Sequence, residues 1–136
     1  MEKIRVVALG GLNENGKNCY CIEVDGDIFV VDCGLKYPSV NNPGIDFLIP
    51  NFDYLRKNQD RVKAVIITHG HDDQYGALPY LLNLINVPVY ASSTTINMIR
   101  MDYGKKFRRF QTYHFISVYP SSTVVIAGHT FDFFAT

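Results

Sequence analysis

Two histidines and two aspartates, His69, His71, Asp72 and Asp73, fall within five residues, directly after an apolar run of β-formers that ends at Thr68. Neutral imidazole and carboxylate at this spacing form the ligand set of a hydrolytic zinc site, which needs coordination positions left open to water. His69 and His71 flank a glycine and can present both rings to one side, and Asp73 adds a carboxylate two residues on. The same residue types also suit an ordinary solvated loop, so the pattern alone leaves both readings open. Context favours chemistry, because a strand stops, the polar cluster follows, and Gly76 opens an apolar helical pattern. A helix beginning near Gly76 puts Asp73 ahead of its N-terminus, where the first amides either hold that carboxylate or face an anionic substrate.

The elements that must position this cluster are readable on both sides of it. Residues 63–67 lack polar alternation, which suits a central strand covered on both faces. Residues 4–9, 19–24 and 28–31 read as three earlier strands, the last two joined at Asp25-Gly26-Asp27 by the strongest hairpin dipeptide in the chain. Asp32, Cys33 and Gly34 follow the third strand, and Asp32 there is either a turn residue or a member of the site. Residues 36–51 hold three of the six prolines and read as an extended excursion, with a short helix at 52–58 after it. Ala77, Leu78, Leu81, Leu82 and Ile85 make one helical face, and Pro79 is tolerable because it falls in the first turn. A strand at 87–91 precedes Ser92, Ser93 and Thr94, which cap a helix running to about Lys106. Strands return at 112–119, 123–127 and 130–135, the last two joined by a Gly128-His129 turn. The order is that of a mixed α/β (α+β) fold in which helices cover sheets from outside. No repeat or linker divides the chain, and its last run stops inside a strand, as in a piece of a longer polypeptide.

The chain has 136 residues, 47% of them hydrophobic and 13% aromatic, enough for one domain with a sizeable core. Lys plus Arg and Asp plus Glu are both 13, so net charge gives no overall pull on a polyanion, although a local groove can still be basic. Lys105, Lys106, Arg108 and Arg109, interleaved with Phe107 and Phe110, either touch an RNA backbone or form a solvated helix end. His114, in a strand, and His129, in a turn, lack ligand-type neighbours and read as structural or exposed. Cys19, Cys21 and Cys33 cannot all pair and match no zinc-finger spacing, so they read as core residues of a protein in a reducing compartment. With no signal-peptide core and no run of about 18 apolar residues, the expectation is a cytoplasmic protein without membrane partners.

Residues 68–76, THGHDDQYG, resemble the T-H-x-H-x-D-H-x-G signature of the metallo-β-lactamase superfamily. Around them ALGG (8–11), GKN (16–18), VDCG (31–34), GID (44–46), IP (49–50), DRVK (60–63), GALPY (76–80) and VPVY (87–90) resemble ribonuclease J, of the β-CASP branch. The resemblance implies a metallo-β-lactamase αββα sandwich of which residues 1–136 are the N-terminal part only, with the β-CASP and C-terminal regions absent. It further implies two zinc ions at the strand ends, hydrolysis of RNA phosphodiester bonds by a zinc-activated water, and assembly of the full-length protein with itself or with an active paralogue. His69 and His71 would hold one zinc, Asp73 would hold the second and act in catalysis, and Asp32 would support the site from behind. The remaining ligands, a histidine just beyond Thr136 and an aspartate and a histidine much later, would lie outside these residues.

Two departures bear on activity. Gln74 stands at a lost ligand position, where the family has a histidine; an amide oxygen is a poorer zinc ligand than imidazole, so the second site is expected to be weak. In the loop after Gly11, Asn13 and Asn15 replace glycine and an apolar residue while Glu14, Gly16 and Lys17 remain, so Lys17 is either an active-site lysine or a solvated one. The chain is therefore either an active ribonuclease J-like hydrolase or an impaired paralogue that binds RNA or scaffolds a partner. Hydrolysis of a small ester or thioester fits the motif but not the residues around it.

Overall fold

Asp25 and Gly26 turn the chain with φ of 50° and 90°, the left-handed pair required by a two-residue hairpin, and so bring the second and third strands together. The computed structural model in which this is seen describes residues 3–12, 16–37, 44, 47–70, 72–103 and 113–135, with backbone alone at 72 and 73. Strands β1 (Ile4–Gly10), β2 (Cys19–Val24), β3 (Asp27–Val31), β4 (Val62–Ile66), β5 (Val89–Ala91) and β6 (Phe115–Ser117) form one sheet in that order. The first three pair antiparallel, and β3 to β6 run parallel. Strands β7 (Thr123–Ile126) and β8 (His129–Asp132) make a separate antiparallel pair. Helices α1 (Asp53–Lys57), α2 (Asp72–Tyr75), α3 (Leu78–Leu84) and α4 (Ser93–Tyr103) occupy the connections.

Both faces of β3 to β5 are covered, as their largely apolar sequences require. Ile28 and Val30 of β3 join Leu55, Leu78, Leu81 and Ile99 in a core on the helix side. Phe29 joins Ala64, Ile66, Tyr90 and Ile126 on the other side, where its ring meets Phe131 of β8 edge-on at 4.7 Å. A register shift between Ile28 and Phe29 lets Val62 and Val65 both reach the helix-side core. The layers are therefore helix, sheet, sheet, in the order expected of the αββα sandwich.

The expected helix from Gly76 is α3, and the one-turn α2 stands before it as a separate element. In a continuous helix the Ala77 N–H would bond the carbonyl of residue 73, but it donates to Cys33 O at 2.9 Å. Cys33 N–H in turn donates to Gln74 O at 2.6 Å, taking the carbonyl that residue 78 would have used. The chain after β3 thus keeps α2 and α3 apart, and Asp73 lies inside the one-turn α2 while still preceding α3. Pro79 does fall in the first turn of α3, and Ser92 Oγ accepts from Thr95 N at 3.2 Å as the cap of α4.

Other boundaries shift. The last hairpin turns at Ala127 and Gly128, with φ of 51° and 83°, so His129 begins β8 instead of sitting in the turn. Its Nε2 is 2.9 Å from Asp27 Oδ2 and its ring packs edge-on against Phe29, which makes it a structural tie between the two sheets. His114 is exposed just before β6. Lys105, Lys106, Phe107, Arg108, Arg109 and Phe110 lie outside the described residues, as do 13–15 and most of 38–46. No described helix is long and apolar enough to cross a membrane.

Cys19, Cys21 and Cys33 are free thiols wholly buried in the core. Burial, with smaller contributions from Cys19 and Glu23, pushes the Cys21 thiol up to about 12 from its ordinary 9.0. Burial and then a hydrogen bond with Cys19 hold Cys33 well above its ordinary value too. A raised thiol favours the folded state fully below its unfolded value, and that contribution fades as pH rises through the folded one. The urea midpoint is therefore expected to fall as pH climbs from 9.0 toward about 12, and Cys21→Ala should flatten part of that slope. An unchanged slope in the variant would contradict the assignment.

Candidate metal centre

Because β3 and β4 are parallel neighbours, their C-terminal ends lie side by side and the residues that follow each of them meet. Asp32, turned to a φ of 63°, donates its N–H to Ile66 O at 2.8 Å and so extends the ladder by one bond. Its carboxylate is buried and accepts from Thr68 N at 2.8 Å. The Thr68 hydroxyl lies 3.0 and 2.9 Å from the two carboxylate oxygens. Thr68 Oγ1 is also 3.1 Å from His69 Nδ1. A hydroxyl carries one proton, and beside a carboxylate it donates that proton to the acid. The His69 ring must then donate from Nδ1, which puts the lone pair needed by a metal on Nε2. His69 is exposed, and with Thr68 it lines a cavity of about 770 Å³ whose other walls include Val31, Val118, Phe131 and Phe133.

The structure thus brings together Asp32, Thr68 and His69. His71 and the side chains of Asp72 and Asp73 lie outside the described residues, and among the described residues no three His, Cys, Asp or Glu side chains form a metal cluster. Gln74 is 6% exposed, and its Oε1 is buried with no hydrogen-bond partner among the described residues. A buried unpaired carbonyl oxygen costs about 1–3 kcal/mol. An imidazole held in the Nδ1–H form and an enclosed oxygen lacking a donor among the described residues are both features that fit a bound cation.

Thr68 was marked in the sequence by its place at the strand end and as the first residue of the signature, but neither signal showed it as the link between Asp32 and His69. Support from α4 had none, since its partners are 27 residues from the motif. Tyr75, buried in the core, donates its hydroxyl to Asp102 Oδ2 and packs edge-on against Tyr103 at 6.0 Å. Tyr103 OH donates to Gly76 O at 3.3 Å. A methyl group on Gly70 would stand 2.7 Å from Met98 Sδ, so α4 also presses on the loop between the histidines. Lys17 N–H donates to Leu35 O at 3.1 Å, and a methyl group on Gly10 would stand 2.1 Å from Lys17 O, which closes the loop after β1 tightly. A second buried acid, Glu23, lies toward the opposite end of β3 and is held by Tyr54, Arg61 and Arg5 as a structural group.

If Thr68 satisfies Asp32, then Thr68→Val lowers the unfolding free energy by about 1–3 kcal/mol by urea denaturation, and Thr68→Ser recovers most of it. Equal losses in the two variants would contradict the pairing.

Residues 12–133 match the family model of the metallo-beta-lactamase superfamily. The chain is 52% identical to Ribonuclease J2 of Bacillus subtilis over 99 residues, which is 73% of this chain and 18% of that protein. It is 47% identical to Ribonuclease J 1 of Streptococcus pyogenes over 98 residues, 72% of this chain and 18% of that one. The chain therefore spans about a fifth of the length of these curated relatives. Among solved structures, the metallo-beta-lactamase fold protein YhfI from Bacillus subtilis superposes with a TM-score of 0.60 at 17% identity, covering 94% of this chain and 51% of that one. A flavo di-iron protein from Thermotoga maritima gives 0.60 at 19% identity, covering 97% of this chain and 36% of that one. At such identities these two share the fold alone. The chain belongs to the metallo-β-lactamase superfamily, and the relatives it matches there at 47–52% identity are ribonucleases J.

Proposed function

We propose that the chain is the N-terminal part of the metallo-β-lactamase domain of a ribonuclease J-like metallohydrolase that cleaves RNA phosphodiester bonds in RNA processing or decay. The observation that carries this reading is the Asp32–Thr68–His69 array at the ends of two parallel strands, in a chain 52% identical to a ribonuclease J over 99 residues. His69 and His71 would hold one metal ion, zinc by the resemblance, and Asp73 the second. A bound ion of this kind supplies a water acidic enough to ionise near neutral pH. Asp32 and Thr68 keep the His69 ring oriented and protonated at Nδ1. RNA is the partner on this reading, in a full-length protein that assembles with itself or with an active paralogue. Three free, buried thiols support a cytoplasmic setting.

A second reading, an impaired paralogue that binds RNA or scaffolds a partner, is favoured by the amide of Gln74 at a ligand position. The full-length protein, incubated with single-stranded RNA, separates the two. Cleavage that is lost in His69→Ala supports the nuclease, whereas cleavage that rises in Gln74→His, as expected when an imidazole replaces a poorer ligand, supports impairment. No cleavage by either the wild type or Gln74→His would overturn the nuclease reading.

A further inference from the structure

The one-turn helix α2 cannot hold itself, since helices below about 12 residues are marginal on their own. Its backbone is tied to the end of β3, where Gln74 O accepts from Cys33 N–H and, just beyond α2, Ala77 N–H donates to Cys33 O. On its other side it is seated by α4. Tyr75 is 2% exposed, and its phenol, which needs a partner when buried, donates to Asp102 Oδ2. The next residue of α4, Tyr103, packs edge-on against Tyr75 and donates to Gly76 O. Two consecutive residues of α4 thus grip two consecutive residues of the motif. Met98, one turn before Asp102 on the same face of α4, lies against the loop at Gly70.

Asp102 is disfavoured by its own helix, because a carboxylate in the last turn faces the negative end of the helix dipole, where a cation is preferred. It is exposed, whereas the ring it holds is buried, so its carboxylate reaches inward to serve Tyr75. Tyr75 stands at a position that the T-H-x-H-x-D-H-x-G signature leaves open, so the signature itself does not call for this pair. We propose that Asp102 is a positioning residue: through the Tyr75 hydroxyl it seats residues 72–76 against the end of β3, with the Cys33 hydrogen bonds as the opposite jaw. The consequence for cleavage rests on the nuclease reading above; the seating does not.

The test compares the full-length wild type with Asp102→Ala, Asp102→Asn and Tyr75→Phe by native-state hydrogen exchange, followed in peptides that contain the Cys33 and Ala77 amides. Asp102→Ala and Tyr75→Phe are expected to speed exchange there about tenfold or more, as for loss of a hydrogen bond to a charged group, while peptides from β4 keep the wild-type rate. Asp102→Asn keeps a carbonyl acceptor and is expected to lie closer to the wild type than to Asp102→Ala. In single-stranded RNA cleavage, Asp102→Ala is expected to lower kcat about tenfold with KM nearly unchanged, since Asp102 orients the motif without holding substrate. Exchange unmoved in Asp102→Ala, equal acceleration in the alanine and asparagine variants, or faster exchange with kcat intact overturns the positioning role. A wild type that cleaves no RNA removes the nuclease reading alone, and the exchange rates still decide the seating.

Discussion

A carboxylate buried where two parallel strands end must be supplied with donors, and meeting that demand at Asp32 organises the residues around it. Thr68 provides two of them, its amide and its hydroxyl, so the chain leaving β4 is tied to the chain leaving β3 at 2.8–3.0 Å. Because the hydroxyl proton goes to the acid, the next ring in line has only one way to bond, through Nδ1–H. A purely structural need for satisfaction thereby sets the tautomer of a histidine, which is what a metal ligand requires. One residue on, Cys33 uses both its N–H and its carbonyl to break the helix after the motif. Residues 32 and 33 together therefore decide where the loop sits and where its helix stops.

The rest of the fold keeps this junction rigid. The apolar parallel strands are sealed by helices on one face and by the β7–β8 hairpin on the other, so the sheet has little freedom to shift beneath the loop. In open parallel sheets the chain passes from strand to helix at the C-terminal edge, and the crevice there is where ligands are held. The contacts from Tyr75, Tyr103 and Met98 of this chain reinforce that edge from the helix side. Gln74 lies between these two supports, with its side chain closed off from solvent.

Much of this was legible from local chemistry. The Asp25-Gly26 hairpin, the largely apolar run of β4 and Pro79 in a first turn each follow from backbone preferences of a few neighbouring residues. The break between α2 and α3 does not, because it depends on hydrogen bonds with Cys33, more than forty residues earlier in the chain. The same holds for Tyr75 with Asp102 and for His129 with Asp27, which pair across elements whose approach no local pattern encodes. In the candidate site, the residue types announced the chemistry, while the hydroxyl that orders His69 became visible only in three dimensions.

The central claim is that Asp32, acting through Thr68, sets the tautomer of His69. Long-range proton–nitrogen correlation NMR of the imidazole, on metal-free protein in mildly alkaline solution, reports which ring nitrogen carries the proton. The account predicts the Nδ1–H form in the wild type and its loss in Thr68→Val. A His69 ring in the Nε2–H form in the wild type, or one indifferent to the substitution, would contradict it.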